Sequence, residues 1–298
     1  MTLQPRAVLV HRRTELQELV DRHGTHGQAA FFLASRGRRM ADVEARHRLV
    51  QDAITSVAAA IPAQWRRGMV ERAEVSRFLF EPGDIIVVVG QDGLVANVAK
   101  YLDGQCVVGI NAEPTRNPGV LVPHPPKAAA ALLATAARRA VPEVTRLAMV
   151  TARTDDGQQL LALNEIYAGS PTHQTARYTI APPNAATETQ ASSGVIIATG
   201  TGATGWCRSA WLERRSTLRL PGPVDQRLAW FVREAWPSPV TGTASTEGEL
   251  AAGQELSLTA AADQLVLFGD GIEADAVPLA WGQTVTVGVA ERTLNLLR

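Results

Sequence analysis

The pattern of apolar and polar positions divides the chain into two regions. Up to about residue 142, short apolar runs alternate with stretches in which apolar side chains recur every three or four residues. Alternation of strands and helices predicts a parallel, Rossmann-like α/β domain over residues 1–142. From residue 143, short apolar runs are separated by Gly, Pro, Asn and Asp. This predicts a mainly antiparallel β-sandwich domain over residues 143–298, with a C-terminal tail that packs back on the first domain.

Apolar periodicity predicts individual elements of the first domain. The predicted strands are 7–10, 85–89 and 106–110, and the predicted helices are Glu15–His23, Met40–Ala60, 94–102 and 127–140. The second of these helices stops before Pro62 and the last is closed by Pro142, because proline cannot continue a helix.

The second domain shows little helical periodicity. Its predicted strands are 147–152, 159–167, 176–180, 194–199, 255–258 and 264–268. A helix is predicted at 226–234, and the polar segments 184–191 and 241–249 are expected to be exposed.

The most informative local feature is the sequence GQDG at residues 90–93, directly after the strand at 85–89 and before a helix. A strand, a Gly-containing turn and a helix N-terminus form a natural anion site, because free N–H groups and the helix dipole face the ligand. A carboxylate repels phosphate, however. Asp92 therefore acts either as a base or as a contact to a metal or hydroxyl, or it only caps the helix.

Composition excludes several classes of protein. The chain has 298 residues, a formal net charge of zero and 46% hydrophobic residues. A neutral balance gives no support for nonspecific nucleic-acid binding, and no apolar run is long enough for a bilayer. The N-terminus lacks the pattern of a secretory signal, and Cys106 and Cys207 are far apart, as expected for reduced thiols. We therefore expect a cytoplasmic protein without nucleic-acid or membrane partners, and no metal-ligating residue is assigned.

Four short segments follow one another in a recognisable order. They are GQDG at 90–93, GIN at 109–111, NEI at 164–166 and TGTGATGW at 199–206. Together they resemble the NAD kinase family, which carries Gly-Gly-Asp-Gly-Thr, Gly-Ile-Asn, Asn-Glu and a Thr-rich Gly loop. The longer segments 109–121, 164–180 and 192–206 are most similar to the mitochondrial-type branch. FGDG at 268–271 also resembles the C-terminal strands of the family.

The resemblance implies an activity, with small molecules as substrates. A phosphoryl group passes from ATP or another polyphosphate to the 2′-hydroxyl of the adenosine ribose of NAD(H), which gives NADP(H). Mg²⁺ or Mn²⁺ assists, and Asp92 is the catalytic residue, as the base or as the group that orients the hydroxyl. A homodimer or homotetramer is also implied, since exposed strand edges of the β domain need covering.

The resemblance also implies a set of nucleotide-binding residues. They are Gly90, Gly93, Asn111, Asn164, Glu165, Thr199, Thr201, Gly202 and Thr204. The amide of Asn164 and the carboxylate of Glu165 suit a ribose diol or the edge of adenine. Asn111 either contacts the ligand or only satisfies its own turn. Trp206 either stacks on the ligand or belongs to the core.

Two positions depart from the family pattern. Gln91 stands in place of a glycine and would resist a positive φ, and Leu94 stands in place of a threonine and removes a hydroxyl. A catalytically degenerate NAD(P)-binding sensor is therefore an alternative. A lipid kinase of the diacylglycerol or sphingosine type, which shares the Gly-Gly-Asp-Gly-Thr loop, is less favoured because of Asn164, Glu165 and the 199–206 loop.

Overall fold

A computed structural model describes residues 4–138 and 144–298, which form two compact units. The second unit is Arg146–Leu294, and the first contains the residues before it together with Asn295–Arg298. The predicted domain boundary at 142/143 lies outside the described residues. Within the described residues, no helix is both long enough and apolar enough to cross a membrane.

The first unit is a parallel α/β layer. Its elements are β1 (Arg6–His11), α1 (Glu15–His23), α2 (His26–Ala34), α3 (Met40–Ala60), β2 (Arg66–Glu71), β3 (Asp84–Gly90), α4 (Asp92–Ala99), β4 (Cys106–Asn111) and α5 (Ala129–Ala136). The strands lie in the order β2-β1-β3-β4, all parallel. The tail extends this sheet, because Asn295 and Leu296 pair in parallel with β4.

The apolar runs of the first unit are strands whose two faces are both covered. The interior of β3 is buried along its length, and its Val87 and Val89 pack in one cluster with Ile54 and Val57 of α3. A strand buried on both faces has no polar side to alternate with, which explains the continuous run of apolar residues.

Most predicted elements of this unit are confirmed, and α1 and α3 have the predicted bounds. The helix predicted at 127–140 is wrong in extent: a 3₁₀ turn at Pro126–Ala128 precedes α5, which ends at Ala136. Residues 139–143, including Pro142, lie outside the described residues. The helix after β3 ends at Ala99 rather than at residue 102. All its residues from Leu94 onward are buried, so this part of the helix has no face exposed to solvent. The sequence did not predict α2 or β2.

The second unit is a β-sandwich. Its elements are β5 (Val144–Thr154), β6 (Gln159–Ala162), β7 (Glu165–Gly169), β8 (Ala176–Ala181), β9 (Glu188–Ser192), β10 (Val195–Ala198), α6 (Trp206–Arg214), β11 (Arg227–Val232), β12 (Glu247–Ala251), β13 (Glu255–Ala260), β14 (Leu265–Gly269), β15 (Ile272–Leu279) and β16 (Thr284–Leu297). A six-stranded antiparallel sheet has the order β12-β11-β10-β7-β14-β15. The facing strands run β16-β13-β8-β9, with β5 and β6 paired beside β16.

Alternate side chains of the two sheets form the core of the sandwich. Ile166 and Ile197 of the six-stranded sheet share one buried cluster with Ile180, Leu256 and Val287 of the other strands. The outer face of the six-stranded sheet is covered by α6, whose Cys207 packs with Ile196 and Phe231. This arrangement confirms the predicted fold class, an α/β unit followed by a mainly antiparallel sandwich.

The helix predicted at 226–234 is wrong, because these residues form β11. Leu228, Trp230 and Val232 face the sandwich core, while Ala229 and Phe231 lie in the cluster under α6. Both faces are therefore covered, and the resulting unbroken apolar run has no period that separates a strand from a helix.

Three other predictions for the second unit need correction. The run 159–167 forms two strands, β6 and β7, rather than one. The segment 184–191 is not wholly exposed, since it enters β9 and buries Gln190 and Ala191. The segment 241–249 likewise enters β12 at Glu247.

We predict that Gly109→Ala strongly destabilises the first unit. A Cβ at this position of β4 would lie 2.0 Å from the carbonyl oxygen of Leu121, a backbone atom that cannot move aside on its own. Overpacking of this kind should lower the free energy of unfolding by about 2–3 kcal/mol, measured by urea denaturation. Gly83→Ala is the control, because a Cβ there meets no atom within 4 Å. Equal losses for the two variants would contradict the close approach.

Candidate functional site

The carboxyl ends of β1, β3 and β4 meet at a cavity of about 240 Å³ in the first unit. It is lined by the residues that follow β1, by the 43–50 part of α3, by the turn after β3 and by the segment after β4. Ligands of open parallel sheets bind at this edge, outside the ends of the strands. The predicted residues Gly90 and Asn111 lie here side by side, paired in register between β3 and β4.

The turn after β3 does not need the conformational freedom of glycine. Gln91 is the N-cap of α4 with φ −120° and ψ 167°, which is extended backbone that any residue adopts. The turn therefore requires no positive φ at position 91, and the resistance of glutamine to that conformation has no consequence here. No side chain caps this helix, and a Cβ built on Gly93 would meet nothing within 4 Å. The first turn of α4 is open to an anionic group.

Asp92 is the first residue of α4, and its carboxylate reaches beyond its own helix. Its Oδ1 accepts hydrogen bonds from the backbone N–H groups of Leu121, at 2.7 Å, and Val122, at 3.2 Å. Both bonds fall on one oxygen, so the carboxylate is oriented while Oδ2 is left to accept a hydrogen bond from a ligand. The alternative that Asp92 only caps its helix is therefore wrong.

Two neighbours of Asp92 have structural roles. Leu94 is only 2% exposed and packs against Gly90, where a Cβ would lie 3.2 Å from its Cδ2. The amide of Asn111 is used within its own turn: Oδ1 accepts from the N–H of Glu113 at 3.0 Å, and Nδ2 donates to the carbonyl of Asn117 at 3.2 Å. Of the two alternatives for Asn111, the geometry favours the turn residue.

In the second unit, the pair Asn164 and Glu165 stands at the start of β7 and is held by a carboxylate distant in sequence. Asp270 accepts from the N–H groups of Leu163 and Asn164, each at 2.7 Å, and from that of Glu165 at 3.3 Å. Asp270 is 8% exposed and has a φ of 53°. Asp270 is not among the residues predicted for the site, although the sequence FGDG at 268–271 was a signal for it.

The carboxyl of Glu165 makes no side-chain hydrogen bond within the described residues. Burial, and then the nearby charge of Asp270, raise its pKa to about 7 from an ordinary value of 4.5. Because Ala198 pairs with Glu165, this side chain shares the outer face of the sheet with the α6 cluster. It is therefore a polar group whose hydrogen-bonding capacity is unused.

The threonine hydroxyls of the loop at residues 199–205 differ in their hydrogen bonding. Thr199 Oγ1 donates to the carbonyl of Leu163 at 2.5 Å and accepts from the N–H groups of Thr201 and Gly202. Thr204 Oγ1 donates to the carbonyl of Thr201 at 2.9 Å. By contrast, Thr201 Oγ1 is buried and has no hydrogen-bond partner among the described residues. Thr201 is therefore the hydroxyl that remains for a ligand.

Gly202 is required by packing, because a Cβ there would lie 2.1 Å from the carbonyl oxygen of Asn164. This contact holds the loop against the start of β7. Thr201, the residue before Gly202, is therefore held next to the Asn164–Glu165 pair. The structure thus groups Asn164, Glu165, Thr199, Thr201 and Gly202 within the second unit.

Trp206 is not a core residue. Its side chain is 41% exposed and stacks on Tyr167, with ring centroids 5.5 Å apart, and Tyr167 in turn stacks on Phe268 at 6.1 Å. Arg233 lies over the Trp206 ring at 5.0 Å. The ring therefore presents part of an aromatic ladder on the face of the sheet that carries Glu165.

Neither cysteine forms a disulfide, and Cys207 is fully buried. Burial raises the pKa of the Cys106 thiol to about 11, which makes it a poor nucleophile. Among residues 4–138 and 144–298, no group of three or more His, Cys, Asp or Glu side chains could hold a metal ion.

Comparison with known proteins shows a likeness in fold. No family profile matches the sequence, and no curated protein matches it. Among solved structures, the crystal structure of an NAD kinase from Archaeoglobus fulgidus in complex with ATP matches with a TM-score of 0.59. The match covers 98% of this chain and 93% of that chain at 17% sequence identity. The chain therefore has the fold of that NAD kinase.

We predict that Glu165→Gln stabilises the protein in alkaline but not in acidic solution. The pKa of Glu165 is about 7 in the folded protein, above the ordinary value of 4.5. The folded state therefore favours the protonated carboxyl, and the protein loses stability as the pH rises from about 4.5 to about 7. Ionised Glu165 should then cost about 2 kcal/mol, which glutamine avoids. Urea denaturation at pH 5 and pH 8.5 measures the difference.

The control for this experiment is Glu273→Gln, which changes an exposed carboxylate on β15. We expect its effect to be the same at both pH values. If Glu165→Gln raises the free energy of unfolding equally at pH 5 and at pH 8.5, then ionisation of Glu165 does not destabilise the folded protein and the prediction is refuted.

Proposed function

We propose that this protein is an NAD kinase-like phosphotransferase. It transfers a phosphoryl group from ATP or another polyphosphate to the 2′-hydroxyl of the adenosine ribose of NAD(H), and so forms NADP(H). The observation that carries the proposal is the Asp92 carboxylate at the end of β3, oriented through Oδ1 and able to accept through Oδ2. It stands in a chain whose fold matches an NAD kinase over 98% of its length.

Asp92 is proposed as the catalytic base. A ribose hydroxyl is a poor nucleophile until its proton can leave, and a fixed carboxylate oxygen accepts that proton as the new O–P bond forms. The first turn of α4, which no side chain caps and which has open space at Gly93, supports backbone N–H contacts to the transferred phosphoryl group.

The acceptor nucleotide is proposed to bind the second unit. Asn164, the unpartnered carboxyl of Glu165 and the buried hydroxyl of Thr201 offer donors and acceptors that suit a ribose diol or the edge of adenine. Thr199, Gly202 and Thr204 support this site indirectly by shaping the loop, as Asn111 shapes the segment after β4.

Mg²⁺ or Mn²⁺ would neutralise the charge of the donor phosphates. The Archaeoglobus fulgidus NAD kinase is described in complex with ATP, which supports ATP as the donor. Two further proposals, membership of the mitochondrial-type branch and a homodimer or homotetramer, rest on the sequence resemblance alone.

The kinase proposal predicts that Asp92→Asn abolishes most turnover. The purified protein should form NADP from NAD, Mg²⁺ and ATP, and the variant should be at least about a hundredfold slower, since an amide cannot accept the proton. An enzymatic cycling assay specific for NADP provides the measurement. Asp42→Asn is the control, because Asp42 is an exposed carboxylate of α3 whose side chain pairs with Arg39. Equal rates for the parent and Asp92→Asn would refute the role of Asp92.

A catalytically silent NAD(P)-binding sensor is the second candidate. Buried Leu94 leaves no hydroxyl on the first turn of α4 at the position where the family carries threonine, which weakens the phosphate cradle. Binding of NAD without formation of NADP, under ATP and under inorganic polyphosphate, would favour this candidate. Binding of neither nucleotide would refute both.

A further inference from the structure

The segment 112–122 provides both hydrogen bonds that orient Asp92. It follows β4 and contains no helix or strand, yet the N–H groups of Leu121 and Val122 point at Asp92 Oδ1. The direction of Oδ2 therefore depends on how firmly this segment is held.

One side of the segment is fixed to β4. The carbonyl of Leu121 lies so close to Gly109 that a side chain there would collide with it, and the backbone N–H of Asn111 donates to the carbonyl of His124 at 2.8 Å. Gly119 has a φ of 73° and sits against the Asn111 amide, where a Cβ would lie 2.7 Å from Nδ2. These contacts set the path of the chain near its end.

The other side is held by an ion pair to α3. Arg46 donates two hydrogen bonds to Glu113 along one edge of its guanidinium group, from Nε to Oε1 at 2.8 Å and from Nη2 to Oε2 at 3.5 Å. The Glu113 side chain is 14% exposed, so the pair is partly shielded from water. The N–H of Glu113 also donates to the Asn111 side chain, which links the pair to β4.

The pair is itself part of a charged network. Arg46 Nη1 lies 3.1 Å from Glu15 at the start of α1, and Glu15 pairs with Arg38 at 2.6 Å. The hydrogen bond to Glu113 raises the pKa of Arg46, and the bond from Arg38 lowers the pKa of Glu15. Two helices thus fix the guanidinium that holds Glu113.

We propose that the Arg46–Glu113 ion pair positions Asp92, by holding the segment 112–122 so that its two N–H groups keep the carboxylate turned with Oδ2 free. Arg46 and Glu113 are positioning residues, since they act through the segment and not on the reacting atoms. The effect on turnover rests on the proposed function, in which Asp92 is the base. The effect on amide exchange in the segment 112–122 is independent of the proposed function.

Amide hydrogen exchange followed by NMR tests the hold on the segment without using activity. In Glu113→Gln and in Arg46→Met, exchange at Leu121 and Val122 should rise at least about tenfold, while amides of the β3 interior stay protected. The double variant should exchange no faster than Arg46→Met alone, because Arg46→Met already removes the ion pair that Glu113→Gln weakens.

Glu81→Gln is the matched control for these variants. It also removes a glutamate paired with an arginine, Arg66 at 2.9 Å, but at the end of the sheet where β1 and β3 begin. Unchanged exchange at Leu121 and Val122 in Glu113→Gln, or an equal rise in Glu81→Gln, would overturn the proposal.

Turnover measurements complete the test. Glu113→Gln should lower kcat for NADP formation about tenfold and leave KM for NAD within about twofold, because orientation of the base is lost while acceptor binding is not. An unchanged kcat in a variant with faster exchange would overturn the positioning role. If the parent forms no NADP while the exchange pattern holds, the proposed function fails and the hold on Asp92 stands.

Discussion

A carboxylate that accepts backbone N–H groups from a distant segment is the interaction on which each candidate site depends. Asp92 accepts from Leu121 and Val122 in the first unit, and Asp270 accepts from three consecutive residues at the start of β7 in the second. The first two N–H groups lie in the segment after β4 and the other three lie where β6 ends and β7 begins, and in each place a carboxylate supplies the acceptor. Charged acceptors make strong hydrogen bonds. Asp92 and Asp270 thereby fix the backbone beside the residues that are proposed to bind the substrates.

The fold could be predicted where local signals agree with tertiary packing. Both α1 and α3 were predicted with their observed bounds, and in the structure Thr14 and Gln17 form a capping box where α1 starts, while the apolar stripe of α3 faces the sheet. Prediction failed where both faces of an element are covered, as in β11, because burial erases the period that separates strand from helix. It also missed α6, in which only Cys207 is buried and the apolar face is limited to Cys207, Ala210 and Trp211.

The motifs predict which residues belong to the candidate site, but they do not predict which hydrogen-bond partner each side chain takes. The motif at 199–206 contains three threonines, and only the backbone path shows that Thr199 and Thr204 bond within the loop while Thr201 has no partner in the described structure. The role of Asp270 depends on a contact with Leu163 across 107 positions of sequence. Likewise, the φ of Gln91 follows from its place as a helix N-cap, which the family pattern alone did not reveal.

We propose that this chain transfers a phosphoryl group to the 2′-hydroxyl of the adenosine ribose of NAD. This transfer can be followed by ³¹P NMR of the purified protein with NAD, Mg²⁺ and ATP. The γ-phosphate signal of ATP should decline as a phosphomonoester signal, coupled to the 2′ proton of the adenosine ribose, grows in equal amount. Persistence of all ATP and NAD signals, with NAD shown by calorimetry to be bound and with polyphosphate giving the same result, would contradict the proposal.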